Sequence, residues 1–396
     1  MKVLALGCAG GMGSVAVHAA TDYEAVIEIV IADLNEKSAI ALAEQIGDKA
    51  RAIRLDVTDS EALGAAIENA DVVVNSVGPY YRFGVPILKA AIAAKRHYVD
   101  ICDDWRPTLD MLDLDEQARV AGITAIVGMG ASPGISNMLC VKAMNRLDET
   151  TELITGWNAA SAFQGEIEGS ADNGNASAAM EHLVHECSGT VGAYRDGTLT
   201  MVKPLENLTL DYPGFGQFDV WTIGHPEPVT IPRYWKKIRF ASNVFYATTE
   251  TANVLKSATV QVDSGSKTIH QAAETIMSDL ASGRVSVAGD LEVPLLFVLA
   301  KGKKRDSDKS VALTVSAIPV SSLEGASLMG AVTGIPFAVG LKMLCEGKIT
   351  KPGVLAPEAA IDPDEFFDEL LPYCTYPKPV SREELILEQL EAVSNS

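Results

Sequence analysis

The chain is poor in basic side chains and has no pattern among its cysteines. Its 396 residues carry 32 Lys and Arg against 52 Asp and Glu, which gives a formal net charge of −20. Because such a surface repels polyphosphate backbones, we expect no nucleic-acid partner. The six cysteines are scattered, with no C-x-x-C pair and no Cys/His cluster. This spacing predicts reduced thiols in a cytoplasmic protein, with neither a disulfide framework nor a metal site.

The chain also has few long uncharged runs. Gly10, Gly11 and Gly13 interrupt the apolar N-terminus early, so it is not expected to be the core of a signal peptide. Residues 326–341 carry no charge, but they contain three glycines and a proline. A membrane span is usually about 20 residues long and more uniformly apolar. We therefore predict a buried helix that packs closely through its glycines, and no membrane partner.

The first 130 residues show a regular alternation of two patterns. Short apolar runs at 2–6, 27–32, 52–55, 71–77, 97–100 and 124–127 are separated by segments with helical spacing. Strands alternating with helices are typical of a parallel sheet covered by helices. The predicted fold class is therefore α/β, with a first domain at residues 1–130.

The alternation ends near residue 130. β-rich runs at 153–157, 197–202 and 310–318 predict a second, mixed α+β domain at 131–325. The Gly- and Pro-dense segment 212–232 is interpreted as a long ordered loop, which in a compact domain is more often functional than filler. A third segment, 326–396, is predicted to consist of C-terminal helices, the last of them at 381–391.

A glycine-rich turn joins the first predicted strand to the first predicted helix. It has the spacing G-x-x-G-x-x-G with one additional glycine, and the residues predicted to bind a cofactor are Gly7, Gly10, Gly11, Met12 and Gly13. Such glycines permit a tight turn and let backbone N–H groups approach a pyrophosphate at the helix N-terminus. The alternative is a tight turn in an α/β protein that binds nothing. Asp33, about 20 residues further on, favours a Rossmann-type dinucleotide-binding domain.

Asp33 ends the second predicted strand and bears on which dinucleotide binds. Its carboxylate is suited to accept hydrogen bonds from the adenosine ribose hydroxyls. The same charge repels the 2′-phosphate of NADP, and no arginine stands among the next three residues, although Lys37 follows them. We expect NAD as the cofactor, with NADP not excluded.

Two further strand ends fit the cofactor. Asp56 and Val57 follow the third predicted strand, where a side chain meets the adenine edge; the alternative for Asp56 is an ordinary helix-entry turn. Asn75, Gly78 and Pro79 follow the fourth strand, where the nicotinamide half is expected near the switch point of the sheet. All five residues are predicted to bind the cofactor.

Several segments resemble the saccharopine dehydrogenase family. They are GCAGGMG at 7–13, DVVVNSVGPYYRFGVPILKAAIAAKRHYVDICDD at 71–104, GMGASPGISN at 128–137, GHPEPVTIPRY at 224–234 and TGIPFAVGLKMLCEGKITKPGVLAPEAAIDPDEFF at 333–367. The resemblance spans nearly the whole chain, is diffuse in the middle, and at the end is to the lysine 6-dehydrogenase-like branch. The family includes saccharopine reductases, lysine 6-dehydrogenases and carboxynorspermidine synthases.

The resemblance implies both a fold and a reaction. The fold is a Rossmann domain, a second domain for substrate and dimer contacts, and a C-terminal segment that returns to the first domain. The reaction moves a hydride between a nicotinamide and the carbon of a C–N bond in an amino acid or related amine, through an imine. We therefore expect a small-molecule substrate and a homodimer. The family often has Gly-Glu after Tyr-Val-Asp, whereas this chain has the shorter carboxylates Asp103 and Asp104.

This chemistry requires groups that handle protons on nitrogen. Asp103 and Asp104 follow the fifth predicted strand, where paired carboxylates are suited to hold an ammonium group; the alternative is a helix N-cap. His225 is the preferred proton-handling candidate in the second domain. These three residues are the predicted catalytic set.

An amino-acid substrate also needs its carboxylate held. Arg233 is the candidate, because arginine forms bidentate pairs with carboxylates; the alternative is a surface ion pair. Tyr80, after the nicotinamide-side turn, and Gly130, between the domains, are predicted to contact substrate as well.

Two rival functions share the same cofactor domain. One is a carbon–nitrogen lyase or synthase that recycles tightly bound NAD without net redox change. The other is a non-catalytic protein that senses dinucleotides through a Rossmann fold kept as a regulatory module.

Overall fold

The computed structural model describes residues 1–159, 178–282, 291–375 and 377–392. By their contacts, these residues divide into two compact units. The first unit comprises Met1–Met138 and Ser316–Leu385, and the second comprises Leu139–Val315 and Ile386–Ser396. The chain therefore returns to its first unit after building the second, and it gives its last residues to the second.

Strands and helices follow in this order along the described chain. The strands are β1 (Lys2–Leu6), β2 (Glu28–Asp33), β3 (Ala50–Arg54), β4 (Val72–Asn75), β5 (His97–Asp100), β6 (Thr124–Ile126), β7 (Glu149–Asn158), β8 (Val191–Arg195), β9 (Thr198–Val202), β10 (Asn207–Tyr212), β11 (Gly216–Ile223), β12 (Phe240–Tyr246), β13 (Leu296–Lys304), β14 (Ser307–Val315), β15 (Gly353–Leu355) and β16 (Ile386–Ala392). The helices are α1 (Gly11–Ala20), α2 (Glu36–Ile46), α3 (Ser60–Glu68), α4 (Tyr80–Ala93), α5 (Trp105–Leu112), α6 (Asp115–Ala121), α7 (Ile135–Met144), α8 (Ala178–Glu186), α9 (Glu227–Thr230), α10 (Thr249–Asp263), α11 (Ile269–Ala281), α12 (Leu328–Cys345), α13 (Pro357–Ala360), α14 (Pro363–Leu370) and α15 (Arg382–Leu385). Short 3-10 turns follow α9 at Ile231–Arg233 and α14 at Leu371–Tyr373.

The first unit contains a seven-stranded sheet in the order β15-β6-β5-β4-β1-β2-β3. All neighbouring strands run parallel. The four residues of β4 are all buried, as expected for a central parallel strand covered on both faces. This sheet confirms the predicted α/β fold and its six strands. The seventh strand, β15, extends the sheet beside β6 and was not predicted from the sequence.

The order of this sheet reverses between β1 and β4. From β1 the chain moves outward to β2 and β3, and it then continues on the other side with β4, β5 and β6. Ligands of open α/β sheets bind at the carboxyl ends of the strands beside such a switch point. The loops after β1 and β4 are therefore the place at which to look for a site.

The uncharged C-terminal segment forms α12, and its glycines bring it close to α1. A Cβ atom on Gly330 would lie 3.0 Å from the Gly11 carbonyl oxygen, and one on Gly334 would lie 2.5 Å from the Met12 carbonyl oxygen. The helix is long and apolar enough to cross a membrane, yet 72% of its apolar stretch is buried inside the protein. The structure thus confirms the prediction of a buried helix packed through glycines.

The second unit contains a mixed nine-stranded sheet. Seven strands follow the order β10-β11-β12-β7-β13-β14-β16, and β8 joins β12 to β9. The β12–β7 pair is parallel, while the other pairs are antiparallel. On one face, Tyr212, Phe218 and Phe297 pack edge to face. This architecture confirms the predicted mixed second domain.

The predicted loop at 212–232 was wrong. A tight turn at Gly214 and Gly216, with φ of +76° and +98°, joins β10 to β11. Strand β11 occupies Gly216–Ile223, and α9 with the 3-10 turn after it covers Glu227–Arg233. In β11, Phe218 and Val220 are buried while Gln217 and Asp219 are exposed. The strand alternation was therefore present in the sequence, but the surrounding glycines and prolines obscured it.

The predicted helix at 381–391 was also wrong beyond its first turn. Only Arg382–Leu385 is helical, and Ile386–Ala392 forms β16 at the edge of the second sheet. Each residue of β16 is paired with β14, from Ile386 opposite Val315 to Ala392 opposite Lys309. The Glu- and Leu-rich sequence favours a helix locally, but pairing with β14 satisfies its backbone as a strand.

Candidate functional site

The glycine turn between β1 and α1 is closed on one side and open on the other. Gly7 has φ of +68°, and its Cβ atom would lie 2.9 Å from Val77. A Cβ atom on Gly13 would lie 2.5 Å from the Cys8 backbone. A Cβ atom on Gly11, by contrast, would have no heavy atom within 4 Å. Gly7 and Gly13 are thus required by packing, whereas Gly11 leaves space in front of the turn.

The open side of the turn presents the N-terminus of α1. Gly10 is the N-cap residue and has no side chain to satisfy the first N–H groups of the helix. Within α1, Ser14 is the first residue whose N–H bonds back to the turn, at 2.8 Å from the Gly10 oxygen. The N–H groups of Gly11, Met12 and Gly13 therefore form a cradle suited to a pyrophosphate, and the residues fit the predicted dinucleotide.

Asp33 lies at the end of β2, next to β1. One carboxylate oxygen accepts the Asn35 N–H at 2.9 Å, and Asn35 in turn caps α2 through Ser38 N–H at 3.3 Å. In the part of the chain that the structure describes, no hydrogen bond engages the other oxygen of Asp33. The carboxylate is thus held in place with one oxygen available, as binding of ribose hydroxyls requires.

Asp56 is exposed after β3 and shapes a turn. It accepts hydrogen bonds from the N–H of Thr58 at 2.9 Å and from its hydroxyl at 2.7 Å, and these bonds lower the pKa of Asp56. Asp59 then caps α3, and Val57 packs against the core. The helix-entry role considered for Asp56 is confirmed, while contact of Asp56 and Val57 with adenine stays a prediction.

Asn75 does not present its side chain to a ligand. It is fully buried at the end of β4, where its oxygen accepts the Val77 N–H at 3.0 Å and its amide nitrogen donates to the Tyr98 hydroxyl at 2.9 Å. The predicted direct contact with the cofactor is therefore corrected, because both ends of this side chain are used inside the protein. Asn75 instead holds the loop that leads to Gly78 and Pro79.

Gly78 and Pro79 begin the segment that enters α4. Pro79 is the N-cap of α4, the Gly78–Pro79 bond is cis, and a Cβ atom on Gly78 would have no heavy atom within 4 Å. These two residues therefore border open space beside the switch point. Tyr80, predicted to contact substrate, is buried instead, and its hydroxyl donates to the Asn75 carbonyl oxygen at 2.9 Å.

A second buried group, Asp100, stands at the end of β5 and was missed by sequence reasoning. Its carboxylate accepts hydrogen bonds from the Tyr98 hydroxyl at 2.7 Å, the Gly128 N–H at 2.8 Å and the Cys102 N–H at 3.0 Å. Burial raises the pKa of Asp100 to about 6, although these three donors act to lower it. The signal for Asp100 in the sequence was its place at the carboxyl end of a predicted strand.

Asp103 and Asp104 follow Asp100 at the same edge. Asp103 is half-buried, and Asp104 is 3% exposed at the N-cap position of α5. The side chain of Asp104 does not accept a capping hydrogen bond from that helix. The structure therefore brings this predicted pair to the carboxyl edge of the sheet, beside the loop after β4.

Gly130 lies in a tight loop after β6. Its N–H donates to the Pro133 oxygen at 2.8 Å, and a Cβ atom on it would lie 3.0 Å from Thr333. A Cβ atom on Gly134 would lie 1.9 Å from the Gly130 oxygen. Gly130 is thus required for packing within the first unit, and its contact with substrate stays a prediction.

In the second unit, His225 lies in a buried ionic cluster. Its Nε2 is 3.1 Å from Glu186 and its Nδ1 is 3.4 Å from Glu227, and both glutamates are buried. Burial alone lowers the pKa of His225, but the two carboxylates outweigh it and raise the pKa well above the usual value. His225 therefore retains its proton at neutral pH, which makes it a poor general base.

Glu186 is the centre of this cluster. It also lies 3.2 Å from Nε2 of His182, which is 24% exposed. Burial alone raises the pKa of Glu186, but the two histidines lower it to about 2. Asn243 joins the cluster by donating to Glu227 at 3.3 Å and to the Thr155 hydroxyl at 2.8 Å. Glu186 thus lies between two histidines, and Glu227 lies between His225 and Asn243.

Arg233 is the last residue of the 3-10 turn after α9 and is exposed. Among the residues that the structure describes, no carboxylate forms an ion pair with it. The surface ion pair considered from the sequence is therefore not found there. The guanidinium is accessible to a ligand of the second unit.

The glycine turn at a topological switch point, with Asp33 at the next strand end, defines a Rossmann-type dinucleotide-binding domain. Comparison with known families gives two matches along the chain. The saccharopine dehydrogenase NADP binding domain matches residues 3–126, and the saccharopine dehydrogenase C-terminal domain matches residues 130–373. Because the second match alone spans more than half of the chain, the protein belongs to the saccharopine dehydrogenase family.

The family comprises nicotinamide-dependent oxidoreductases that act on carbon–nitrogen bonds of amino acids, as the sequence predicted. Carboxyaminopropylagmatine dehydrogenase from Synechocystis sp. is 23% identical over 393 residues, covering 93% of this chain and 95% of that protein. Alpha-aminoadipic semialdehyde synthase from Arabidopsis thaliana is 36% identical over 121 residues, which are 30% of this chain. The match spans only 11% of that longer protein.

The fold is also that of a solved structure. Apo saccharopine dehydrogenase (L-Glu forming) from Saccharomyces cerevisiae matches with a TM-score of 0.64 at 18% identity, covering 99% of this chain and 100% of the other. At this identity the likeness concerns the fold alone. It confirms the predicted combination of a Rossmann domain with a second mixed domain.

Proposed function

We propose that this protein is a dehydrogenase that oxidises the secondary amine (CH–NH) of an amino-acid-derived substrate, with NAD as its preferred cofactor. The observation that carries the proposal is the open cradle of N–H groups at Gly11, beside the switch point and Asp33. The likeness to carboxyaminopropylagmatine dehydrogenase over nearly the full length supports a substrate in which an amino acid and an amine share one nitrogen.

In this proposal, some residues of the first unit bind the cofactor and others transfer protons. The N–H groups from Gly11 to Gly13 hold the pyrophosphate, and Asp33 accepts the ribose hydroxyls. A nicotinamide held there would supply the acceptor for a hydride from the carbon that bears nitrogen, so that the substrate would become a protonated imine. Asp103 and Asp104 hold the substrate ammonium and take up the proton that it must lose before this transfer.

An absorbance assay tests the function directly. Purified protein is mixed with NAD or NADP and a panel of secondary amines, including saccharopine, with primary amines such as lysine for comparison. We expect steady formation of reduced cofactor with a secondary amine, faster with NAD. Amine cleavage with no net reduced cofactor would instead support a lyase that recycles NAD. Dinucleotide binding without turnover of any amine would support a sensing role.

The preference for NAD rests on Asp33 and predicts the effect of one substitution. Asp33→Arg removes the charge that repels a 2′-phosphate and introduces a cation that pairs with it. We expect NAD binding to weaken and NADP binding to strengthen, so that the preference reverses in titrations followed by protein fluorescence. An unchanged ratio of the two affinities would contradict the role given to Asp33.

Arg233 is proposed to bind a substrate carboxylate. We expect Arg233→Ala to raise the KM for substrate by about tenfold or more, since a charge-assisted pair is lost, while the affinity for NAD stays the same. Arg239→Ala is a matched control in the second unit, because Arg239 is exposed and donates to the Asp196 carbonyl oxygen. Equal KM values for the wild type and Arg233→Ala would show that the carboxylate is bound elsewhere.

We also propose that the protein is a cytoplasmic homodimer. The family resemblance supports the dimer, and six scattered cysteines without a C-x-x-C pair, five of them buried, suit a reducing compartment. Light scattering on the purified protein measures the assembly directly, and a mass of one chain would refute the dimer.

A further inference from the structure

The carboxyl edge of the first sheet contains one buried network that connects three loops. Asp100 receives hydrogen bonds from Cys102 and Gly128, which lie in the loops after β5 and β6. Its other oxygen receives the Tyr98 hydroxyl, which in turn receives the Asn75 amide at the end of β4. One carboxylate thus fixes, directly or through Tyr98, the loops that leave three adjacent strands.

The network lies out of reach of any ligand. Asn75, Tyr98, Asp100 and Cys102 are each 0% exposed, so none of their side chains touches a substrate in this structure. The loops that they hold, however, carry residues of the candidate site. Asp103 and Asp104 follow Cys102 directly, and the Val77 N–H bonded to Asn75 leads to the open turn at residues 78–79.

Ionising a carboxyl group at the buried position of Asp100 costs free energy. A buried carboxyl group resists ionisation unless hydrogen bonds or charges compensate for the lost water. Here the compensation comes from neutral donors only, and burial leaves the pKa of Asp100 raised to about 6. An uncharged residue would avoid this cost, but it would offer fewer acceptor sites for the three converging donors.

We infer that Asp100 is a positioning residue for the proposed oxidation, setting the place of the Asp103–Asp104 loop relative to the loops after β4 and β6. This inference rests on the proposed function. Small displacements of catalytic groups cost up to about 100-fold in rate. Loss of Asp100 therefore lowers the turnover number while the adenosine half of the site, built on β1 and β2, keeps its affinity for NAD.

The network also predicts a pH dependence of turnover. The titratable groups that face Asp100 are Tyr80 of α4, Tyr98 of β5, and Cys102 and Asp103 of the following loop. Burial raises the pKa values of the two tyrosines and the cysteine well above their usual range, so these three stay neutral at pH 5–8. Protonation of Asp100 at about pH 6 reduces its capacity to accept three donors. We expect kcat to fall below that pH.

The test compares Asp100→Asn, at the carboxyl ends of the strands, with a change at their amino ends. Asp71 also accepts a backbone N–H, from Lys2 at 2.7 Å, but it precedes β4 rather than following it. We expect Asp100→Asn to lower kcat by 10- to 100-fold, to leave the Kd for NAD within twofold of the wild type, and to remove the acid limb near pH 6. Asp71→Asn is expected to leave all three unchanged.

Tyr98→Phe provides a second variant in case Asp100→Asn does not fold. It removes one hydroxyl and leaves Asp100 with two backbone donors, so we expect a smaller loss of kcat at unchanged NAD affinity. The inference is overturned if folded Asp100→Asn or, failing that, Tyr98→Phe turns over at the wild-type rate with the wild-type pH profile.

A readout that needs no substrate separates this inference from the proposed function. In Asp100→Ala, or in Asp100→Ser if that variant does not fold, the oxygen that accepts both N–H groups is lost, so we expect faster hydrogen exchange of the Cys102 and Gly128 amides. The amide of Val74 in β4 is expected to stay protected. If no amine is oxidised by the wild type, the proposed function and the catalytic role of Asp100 both fail. If the wild type is active but exchange at these two amides is unchanged, only the role of Asp100 fails.

Discussion

Two buried carboxylates, Asp100 in the first unit and Glu186 in the second, have pKa values shifted in opposite directions. Burial raises the pKa of both, and each receives several partners. The partners of Asp100 are neutral donors, and its pKa stays raised at about 6. The partners of Glu186 are two histidines, and its pKa falls to about 2. For these two carboxylates, the charge of the partners therefore decides whether the pKa lies above or below its usual value.

The same comparison separates the roles of the two clusters. The cluster around Glu186 pairs two buried glutamates with His225, whose raised pKa keeps it protonated at neutral pH. The network around Asp100 lies at the ligand-binding edge of a parallel sheet, under loops that remain open at Gly11 and Gly78. We regard the first as a stabilising element and the second as part of the active-site framework.

The largest expected effect is a loss of folding stability when the Glu186 cluster is disrupted. Glu186→Gln removes one partner of a buried ion pair and leaves the positive charge of His225 poorly compensated. Loss of one partner from such a pair costs about 3–5 kcal/mol. Urea denaturation at pH 7 measures the change in the free energy of unfolding.

The control for Glu186→Gln is the exposed pair of His270 with Glu181, whose atoms are 2.7 Å apart. Exposed pairs contribute little, so Glu181→Gln should leave the denaturation midpoint unchanged. Similar midpoints for both variants would show that the buried cluster is no more stabilising than a surface pair.

The pH dependence of stability is expected to have opposite signs at the two carboxylates. The pKa of Asp100 is raised from 3.8 to about 6 in the folded protein, so the folded state binds this proton more tightly than the unfolded state does. The contribution of Asp100 to the free energy of unfolding therefore falls by about 3 kcal/mol as the pH rises from 3.8 to about 6. Glu186, whose pKa falls from 4.5 to about 2, contributes stability that is present above pH 4.5 and lost as the pH falls toward 2.

Unfolding free energies of the wild type and Asp100→Asn, measured from pH 4 to pH 7, test this difference. The wild type should lose stability relative to the variant as the pH rises, because only the wild type has to ionise a buried group. A constant difference across the range would mean that Asp100 titrates as an ordinary carboxylate in the folded protein.

A smaller effect, on binding alone, is expected at the open turn. Gly11→Val places a side chain in the space in front of the cradle, where no protein atom lies within 4 Å. We expect NAD affinity to fall by at least tenfold, about 1.4 kcal/mol, while the thermal midpoint stays close to that of the wild type.

Gly64→Val is the matched control for that change. Gly64 is also helical, lies in α3 of the same unit, and has no heavy atom within 4 Å of a built Cβ. It should leave NAD binding unchanged. Equal NAD affinity in both variants would indicate that the dinucleotide does not occupy the turn.

Much of the first unit could be predicted from the sequence because its signals are local. The alternation of apolar runs and helical segments located six parallel strands, and the glycine turn located the N-terminus of α1. The strand β15 was missed because three residues, Gly353–Leu355, carry too little pattern to distinguish a strand from a loop. Its place beside β6 depends on chain that lies more than 200 residues away.

The site was predicted less completely than the fold. Asp33, Asp103 and Asp104 were placed correctly at strand ends, because the carboxyl edge of a parallel sheet follows from strand order. Asn75 was placed at the correct strand end, but its side chain points inward to Tyr98. Which way a polar side chain at a strand end turns depends on a hydrogen-bond partner from a neighbouring strand.

The sequence by itself therefore determined the Rossmann-type domain, the cradle at Gly11 and the class of reaction, since backbone sterics, strand periodicity and family motifs are all written locally. Only the tertiary structure decided that His225 retains its proton, that Asp100 joins three loops, and that Ile386–Ala392 is a strand. Each of these features depends on burial and on contacts between residues far apart in the chain, which a pattern within one segment cannot predict.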